Sequence, residues 1–394
     1  MAVPTGSGAA VSVAEALEIA RRERLRPPVE DVPLAEAAGR VLARDVRAAV
    51  AVPPWTTSAM DGWALRAADT PGDLPVAGES AAGAPFRGVL DPGRAVRIST
   101  GAVVPAGADA VVRLEDGAEQ DGRLRAPATP AGAHVRAAAE LLARGGTLVP
   151  AGEQVAPHAV GAIGAVGLAS VPCIARPRVA ILATGRELAT LGSPLTDGRI
   201  HDSNRHGIRA QLEAAGALVV SSEVLGDDRA ATSEAIERLL EGAADVVVTL
   251  GGMGRGPHDH VRPALAGAGV EALFDGLRAT SLQPTWLGRR ATRLALGLPG
   301  NPVSAAIALH VVGRELLGLR EPWDRTLPLV APWARGPGRA DLLMCRLAEG
   351  GIAPLPDQRS HAVVSLARAD ALAWVDEGRG SLAAGEAVPF SPLA

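Results

Sequence analysis

Three apolar runs in the second half of the chain, Val179 to Ala183, Asp245 to Leu250 and Leu294 to Leu298, constrain the fold more than any other feature. Each lacks the polar alternation of a half-exposed strand, so each reads as a strand covered on both faces. The segments between them have helical spacing: Asn204 to Ala215, ended by Gly216, and Thr232 to Leu240, with Ala217 to Val220 as a further strand. A turn and a helix over Val303 to Leu317 follow the last run. Strands alternating with helices bury such runs in a mostly parallel sheet with helices on both faces. An α/β domain is therefore expected from about Arg176 to Arg320.

Ligands of open α/β sheets bind at the carboxyl ends of the strands, and glycine-rich loops leave that edge here. Thr184–Gly185–Arg186–Glu187 follows the first run, and Gly251–Gly252–Met253–Gly254–Arg255–Gly256–Pro257–His258–Asp259 the second. Pro299–Gly300–Asn301–Pro302–Val303–Ser304 follows the third and opens a helix. Glycine lets backbone N–H groups approach an anion, and a helix N-terminus adds partial positive charge. One such loop would merely end a strand. Three at one edge point to a site for a phosphorylated or otherwise anionic small molecule. Asp202, Ser203 and Asn204 precede a helix, where capping explains them, and they face the same edge. His201, His206, His258 and His260 lack a second pair at helical spacing that would support a His metal site. Asp259 beside Mg²⁺ is the better expectation, because a hard cation favours carboxylate and phosphate oxygens.

Ser12 and Glu15 have capping-box spacing and predict a helix over Val13 to Arg24. A short helix, Pro33 to Gly39, and a strand-like Val41 to Val46 follow. From Ala49 to about Val149 short apolar segments, such as Ala95 to Ile98 and Ala110 to Leu114, are separated by Pro and Gly. That pattern predicts a β domain, partly barrel-like. Within it, Asp61 sits in a tight turn and Thr100 in the segment Ile98 to Ala102. Helical spacing returns over Val155 to Leu168, and this helix is expected to pack beside the N-terminal one. The expected domains are 11–48 with 150–175, 49–149, 176–321, and a strand-rich 322–394.

Charge excludes some partners. The formal net charge is -4, with no basic run, so neither nucleic acid nor an anionic membrane surface is expected. All 39 basic residues are Arg. Cys173 and Cys345 are far apart and in apolar contexts, which fits a reducing, cytoplasmic setting and gives no disulfide framework. No charged N-terminal segment leads into an apolar core, so no signal peptide is expected.

Taken in order, Ser58–Ala64 (SAMDGWA), Ser99–Val112 (STGAVVPAGADAVV), Ala183–Leu188 (ATGREL), His201–Asn204 (HDSN), Gly226–Asp228 (GDD) and Gly297–Ala305 (GLPGNPVSA) resemble the MoeA and gephyrin E-domain family. Ser365–Asp370 and Leu382–Glu386 fit the family's last domain. The resemblance implies a multidomain α/β plus β chain. Its parts are a helical linker domain, a β domain, a three-layer MogA-like domain that binds molybdopterin, and a small C-terminal β-barrel. It implies a homodimer whose cleft takes Asp61 and Thr100 from one subunit and Glu187, Asp228, Asp259 and the Pro299–Pro302 turn from the other. The implied reaction inserts molybdate into adenylylated molybdopterin and releases AMP, with Mg²⁺ on Asp228 and Asp259. Thr184, Gly185, Asp202, Ser203, Asn204, Gly251, Gly252, Pro299, Gly300, Asn301, Pro302 and Ser304 are the implied ligand-binding positions. A MogA-like adenylyltransferase and molybdoenzyme chaperones are the implied partners.

The chain departs from the family pattern at several positions. Gly254 stands where the family has Ser, and Thr280–Ser281–Leu282–Gln283–Pro284 stands where it has Lys-Pro-Gly-Lys-Pro. Arg136–Ala137–Ala138–Ala139–Glu140–Leu141 stands where the family has Gly-Glu-Asp. The loss of two cations where anions meet leaves a second reading, a paralogue that binds molybdopterin-like ligands as a scaffold. Arg255, Arg278, Arg339, Arg346 and Ser360 are the substitutes available for oxyanion binding.

Overall fold

The computed structural model describes residues 10–254, 256–318, 323 and 325–393. They form two compact units, one of Pro28–Ala175 and one that joins the residues before Pro28 to those from Arg176 onward.

The second of these units is built on a six-stranded sheet, ordered Leu218–Leu225, Arg178–Thr184, Val246–Leu250, Arg293–Leu298, Trp286–Arg290, Glu271–Asp275. The first four strands are parallel. Alternate side chains of each strand point to opposite faces. Val179, Ile181, Val246, Val248, Leu294 and Leu296 enter one core, with the helices Val13–Arg22, Asn204–Ala214 and Pro302–Ala308. Ala180, Leu182, Val247 and Ala295 enter the other, with Arg229–Glu241 and Val261–Gly267. The two antiparallel strands on one side of the sheet, Trp286–Arg290 and the edge strand Glu271–Asp275, were not expected. Their charged and glycine-broken sequences carry no buried-strand signature. The helix predicted over Val303 to Leu317 is interrupted by a π turn, Leu309–Gly313. The domain ends expected at 321 and 322 lie outside the described residues.

The N-terminal helix corrects an expectation. Ser12 and Glu15 do form the capping box, but Val13, Ala16, Leu17 and Ala20 join the α/β core. The helix Pro157–Ala165, beside which it was expected, contributes Ile163 to a separate core in the other unit. Residues 11, 276 and 278 form a strand-like joint, with Val11 N donating to Gly276 O at 3.0 Å and Arg278 N to Val11 O at 2.7 Å.

The C-terminal strands form a five-stranded antiparallel sheet, ordered Arg325–Pro328, Ala387–Pro392, Ala371–Val375, Asp341–Ala348, Gly351–Pro354. Val330 N donates to Ile352 O at 2.9 Å, which brings the two outer strands together and curls the sheet. Leu343, Cys345, Ile352, Ala373 and Val388 fill its interior. Burial there pushes the Cys345 thiol up to about 12. Leu342, Met344 and Leu372 on the outer face complete the α/β core.

In the unit Pro28–Ala175, Val29–Pro33 pairs antiparallel with Ser170–Ile174 over a small core of Val32, Leu42, Ile163 and Val171. The expected strand Val41 to Val46 reduces to isolated bridges at Val41 and Leu42 and a short strand, Val46–Arg47. A mixed six-stranded sheet follows, in which Gly62–Leu65 lies between Ala110–Arg113 and Ala95–Ile98. Among the described residues, no helix is long and apolar enough to cross a membrane.

Candidate functional site

The parallel sheet places its switch point between Arg178–Thr184 and Val246–Leu250. The chain passes to Leu218–Leu225 on one side of the first strand and to the second on the other. A crevice opens at the carboxyl ends of such a strand pair. Here it is a cavity of about 480 Å³, lined by residues that include Thr184, Gly185, Glu187, Asp202, Ser203, Asn204, Asp227, Gly251, Gly252, Asp259, Pro299, Gly300 and Pro302. That volume suits a small-molecule ligand.

Backbone geometry makes the wall polar. Gly252 has φ +64°, and a Cβ there would meet Val261 Cγ2 at 2.6 Å and Thr184 Oγ1 at 2.8 Å. Among the described residues, the amides of Gly252, Met253 and Gly254 donate to no protein acceptor. Successive unpartnered amides in a turn are a concavity for an anion. Thr184 Oγ1 is buried beside them without a partner among the described residues. At Gly254, where the family has Ser, the Asp259 carboxylate occupies the space a side chain would take, with Oδ2 2.4 Å from the position of an added Cβ. Asp259 Oδ2 accepts from Gly256 N at 2.7 Å, which folds the carboxylate back over the loop. Asn204 Nδ2 donates to Gly300 O at 2.5 Å and ties the third loop to the Asp202–Asn204 turn.

Several expected residues lie elsewhere. Asp228 is the N-cap of Arg229–Glu241, its carboxylate accepting from Ala231 N at 2.8 Å. The preceding Asp227 lines the cavity instead and lies 3.7 Å from the Arg186 guanidinium. The residue immediately before a helix is held by its cap, so its neighbour is the one free to face the ligand. Ser304 is buried in a separate cavity of about 60 Å³ with Thr280, Trp333 and Gln358. Asn301 turns its amide to Ser360 Oγ at 3.0 Å and lines a second, neighbouring cavity.

That second cavity, of about 680 Å³, shares Met253, Gly254 and Pro284 with the first and is also lined by Arg262, Asp275, Ser281, Gln283, Arg339 and Ser360. Among the described residues Arg339 is bonded only through its backbone carbonyl, which accepts from Arg335, so its guanidinium faces the cavity uncommitted. Arg278 does not take this role. It donates to both Glu377 oxygens at 3.0 and 3.1 Å and to Ala10 O, and the Glu377 carboxylate holds its pKa above the ordinary value. Arg346 pairs with Asp370 at 2.8 Å, and Arg255 lies outside the described residues. Sequence motifs marked neither Arg262 nor Asp275, because one comes from a helix and the other from a strand, and they meet only in the fold.

In the other unit, Asp61 Oδ1 accepts from Thr100 N at 2.7 Å, so the two expected residues of the β domain do meet. Gly62 lets them, since a Cβ there would fall 1.8 Å from Val112 O. Glu140 bonds locally, accepting from Ala137 N at 3.1 Å.

These features now match known proteins along the whole described chain. Family models match the MoeA N-terminal region (domain I and II) over residues 11–167, a probable molybdopterin binding domain over 180–318, and the MoeA C-terminal region (domain IV) over 326–393. A Mycobacterium tuberculosis protein named molybdopterin molybdenumtransferase 2 is 36% identical over 376 residues, 90% of this chain and 92% of its own. The chain belongs to the MoeA family. A Haemophilus influenzae molybdopterin molybdenumtransferase is 30% identical over 91% of this MoeA-family chain and 93% of its own. The crystal structure of a molybdopterin biosynthesis MoeA protein from Pyrococcus horikosii superposes with a TM-score of 0.84 at 28% identity, over 98% of this chain and 100% of that one.

Proposed function

We propose that this MoeA-family chain is a molybdopterin molybdotransferase, which inserts molybdate into adenylylated molybdopterin and releases AMP in molybdenum cofactor biosynthesis. The observation that carries the reading is the pairing of two adjoining cavities, one walled by unpartnered amides and carboxylates, the other by an uncommitted guanidinium. The amides of Gly252, Met253 and Gly254 take the phosphate side of the pterin substrate. Arg339 and Ser360 take molybdate, the second substrate, where a planar fork suits an oxyanion.

Mg²⁺ fits the first cavity by donor chemistry. Glu187, Asp227 and Asp259 supply oxygen ligands of the kind a hard cation prefers. Among the described residues no three His, Cys, Asp or Glu side chains form a closed metal cage. An ion held by one or two carboxylates and substrate phosphates needs no such cage. Asp227 and Asp259 would hold it, and when bound it offsets charge at the phosphoanhydride. Asp259 is pre-positioned by Gly256 N, and Asn204 keeps the Pro299–Pro302 turn in place through Gly300 O. Asp61 is assigned to the same reaction, with the Thr100 amide holding its carboxylate in one orientation. A cytoplasmic homodimer accompanies this reading, checked by light scattering.

The test is molybdate insertion into adenylylated molybdopterin by the purified protein, with AMP release measured in parallel. AMP release coupled to insertion is the expected result. The neutral Ser281 and Gln283 of the second cavity favour the scaffold reading as the alternative. Pterin binding without insertion or AMP release would establish that alternative and sink the transferase.

A further inference from the structure

The segment bordering the second cavity gives an oxyanion no charge to meet, since it lines the cavity with Ser281, Gln283 and Pro284. Arg262, Arg339 and Asp275 are the charged lining residues among those described. We infer that Arg262 is the second cation that holds molybdate, and that with Arg339 it makes good the neutrality of the 280–284 segment. This assignment rests on the molybdate reading above and adds to it a residue outside every sequence motif.

Arg262 is fixed from both ends. Its backbone lies on Val261–Gly267, whose Val261, Ala264 and Leu265 are buried against the sheet. Its Nη2 donates to Met253 O at 2.8 Å, and its Nη1 pairs with Asp275. A guanidinium has five N–H donors in a rigid plane. These two bonds set the plane and leave the second N–H of each Nη for a ligand in the cavity, while the Nε–H is buried and has no partner among the described residues. An oriented fork with donors to spare binds a tetrahedral oxyanion better than a mobile one, because less side-chain freedom is lost. Met253 lines both cavities, so the bond to its carbonyl ties Arg262 to the glycine loop of the first. Asp275 orients the fork and also lowers the positive field an anion meets.

The experiment is calorimetric titration of the full-length protein with molybdate alone, paired with the KM for molybdate. Arg262→Gln should weaken binding by about tenfold, the loss of one charge-assisted hydrogen bond. KM for molybdate should rise with it, and by more than any loss of pterin-substrate binding, which Arg262 touches only through the Met253 carbonyl. Arg262→Lys, which keeps the charge and loses the fork, should fall between. A purely structural Arg262 would instead lower the melting temperature and leave molybdate affinity at the wild-type value, which overturns the assignment. Arg339→Gln separates this from the reading beneath it. If Arg339→Gln weakens binding and Arg262→Gln does not, the assignment of Arg262 alone is wrong. If the wild type binds no molybdate, or neither variant weakens it, the molybdate reading falls and takes the assignment with it. Should Arg262→Gln not fold, Asp275→Asn keeps an acceptor for the guanidinium and removes the opposing charge. It should tighten molybdate by about threefold at low salt, since one like charge leaves the cavity; unchanged or weaker binding counts against the assignment.

Discussion

Thr280 Oγ1 donates to Asp341 Oδ1 at 2.5 Å, so the first of the two positions where lysine was expected serves to join the α/β domain to the C-terminal sheet. The joint is reinforced by the backbone, with Thr280 N donating to Ala340 O at 2.8 Å and Ala340 N to Arg278 O at 2.9 Å. Trp333 Nε1 reaches the other oxygen of Asp341 at 3.3 Å. Gln283, the second position, lines the larger cavity and makes no part of that joint.

The two positions should therefore respond differently to a restored lysine. In Gln283→Lys an ammonium enters the cavity, and molybdate affinity should rise by about tenfold at low ionic strength. In Thr280→Lys the ammonium should pair with Asp341, and affinity should change by less than about twofold, as for an exposed ion pair. Titration with molybdate at low and high salt checks both, since screening should erase much of the Gln283→Lys gain. Equal gains in the two variants would show that the segment is not held as described.

Asp227 and Asp228 should separate by phenotype. Asp228→Ala removes the cap on Ala231 N and should cost about 1 kcal/mol of stability, with activity kept. Asp227→Asn should leave the urea midpoint in place and lower molybdate insertion by about a hundredfold, as expected for loss of a charged group that acts on the developing charge. It should also shift the Mg²⁺ titration to higher concentration. The reverse assignment of losses would restore Asp228 to the site.

Much of this fold was legible because burial imposes periodicity. Val179, Ile181, Val246 and Val248 had to be covered on both faces, and the glycine turns at their carboxyl ends had to face a common edge. The two antiparallel strands were not legible, because Glu271 and Arg289 on them are exposed and no uninterrupted apolar run marks them. The N-terminal helix was read correctly as a helix and placed beside the wrong partner. Its apolar stripe says that it must be buried and not against what, and Leu17 finds the α/β core. The same limit explains the site. A motif places Asp227 and Asp228 on one loop, but which carboxylate caps the helix depends on where the helix begins. Arg262 and Asp275 come from different elements, and only the sheet brings them together.

Gly252 supplies a test of the anion cradle. Its φ of +64° and the 2.6 Å approach to Val261 Cγ2 leave no room for a methyl group. Gly252→Ala should cost about 1–3 kcal/mol through backbone strain and weaken pterin-substrate binding by at least about tenfold, an effect of about 1.4 kcal/mol on the site. Gly207 is the control. It lies in the helix Asn204–Ala214, with nothing within 4 Å of an added Cβ. Gly207→Ala should stabilise the protein by about 1 kcal/mol, the helix-propensity difference, and leave binding unchanged. Thermal melts and equilibrium binding measured on both variants decide the matter, and intact binding in Gly252→Ala would remove the loop from the site.

His310 predicts how stability responds to acid. It is buried on the π turn, with Nε2 2.8 Å from Ser391 Oγ and its ring edge-on to Trp323 at 6.3 Å. Burial, with a smaller contribution from Arg314, pushes its pKa down to about 4. In the unfolded chain an imidazole titrates near about 6.5. Between those values the unfolded state binds a proton that the folded state refuses, so stability falls as pH falls through that window. The loss should approach about 3 kcal/mol near the lower end, on the scale of about 1.4 kcal/mol for each unit of pKa difference. His310→Gln keeps a polar partner for Ser391 and cannot take up the proton. Its urea midpoint should lie below the wild type's at about pH 7, where the lost ring packing dominates. The gap should narrow or invert by about pH 4.5, as the wild type alone meets the protonation cost. Parallel curves for the two proteins across that range would show that His310 is already protonated, or accessible, in the folded state.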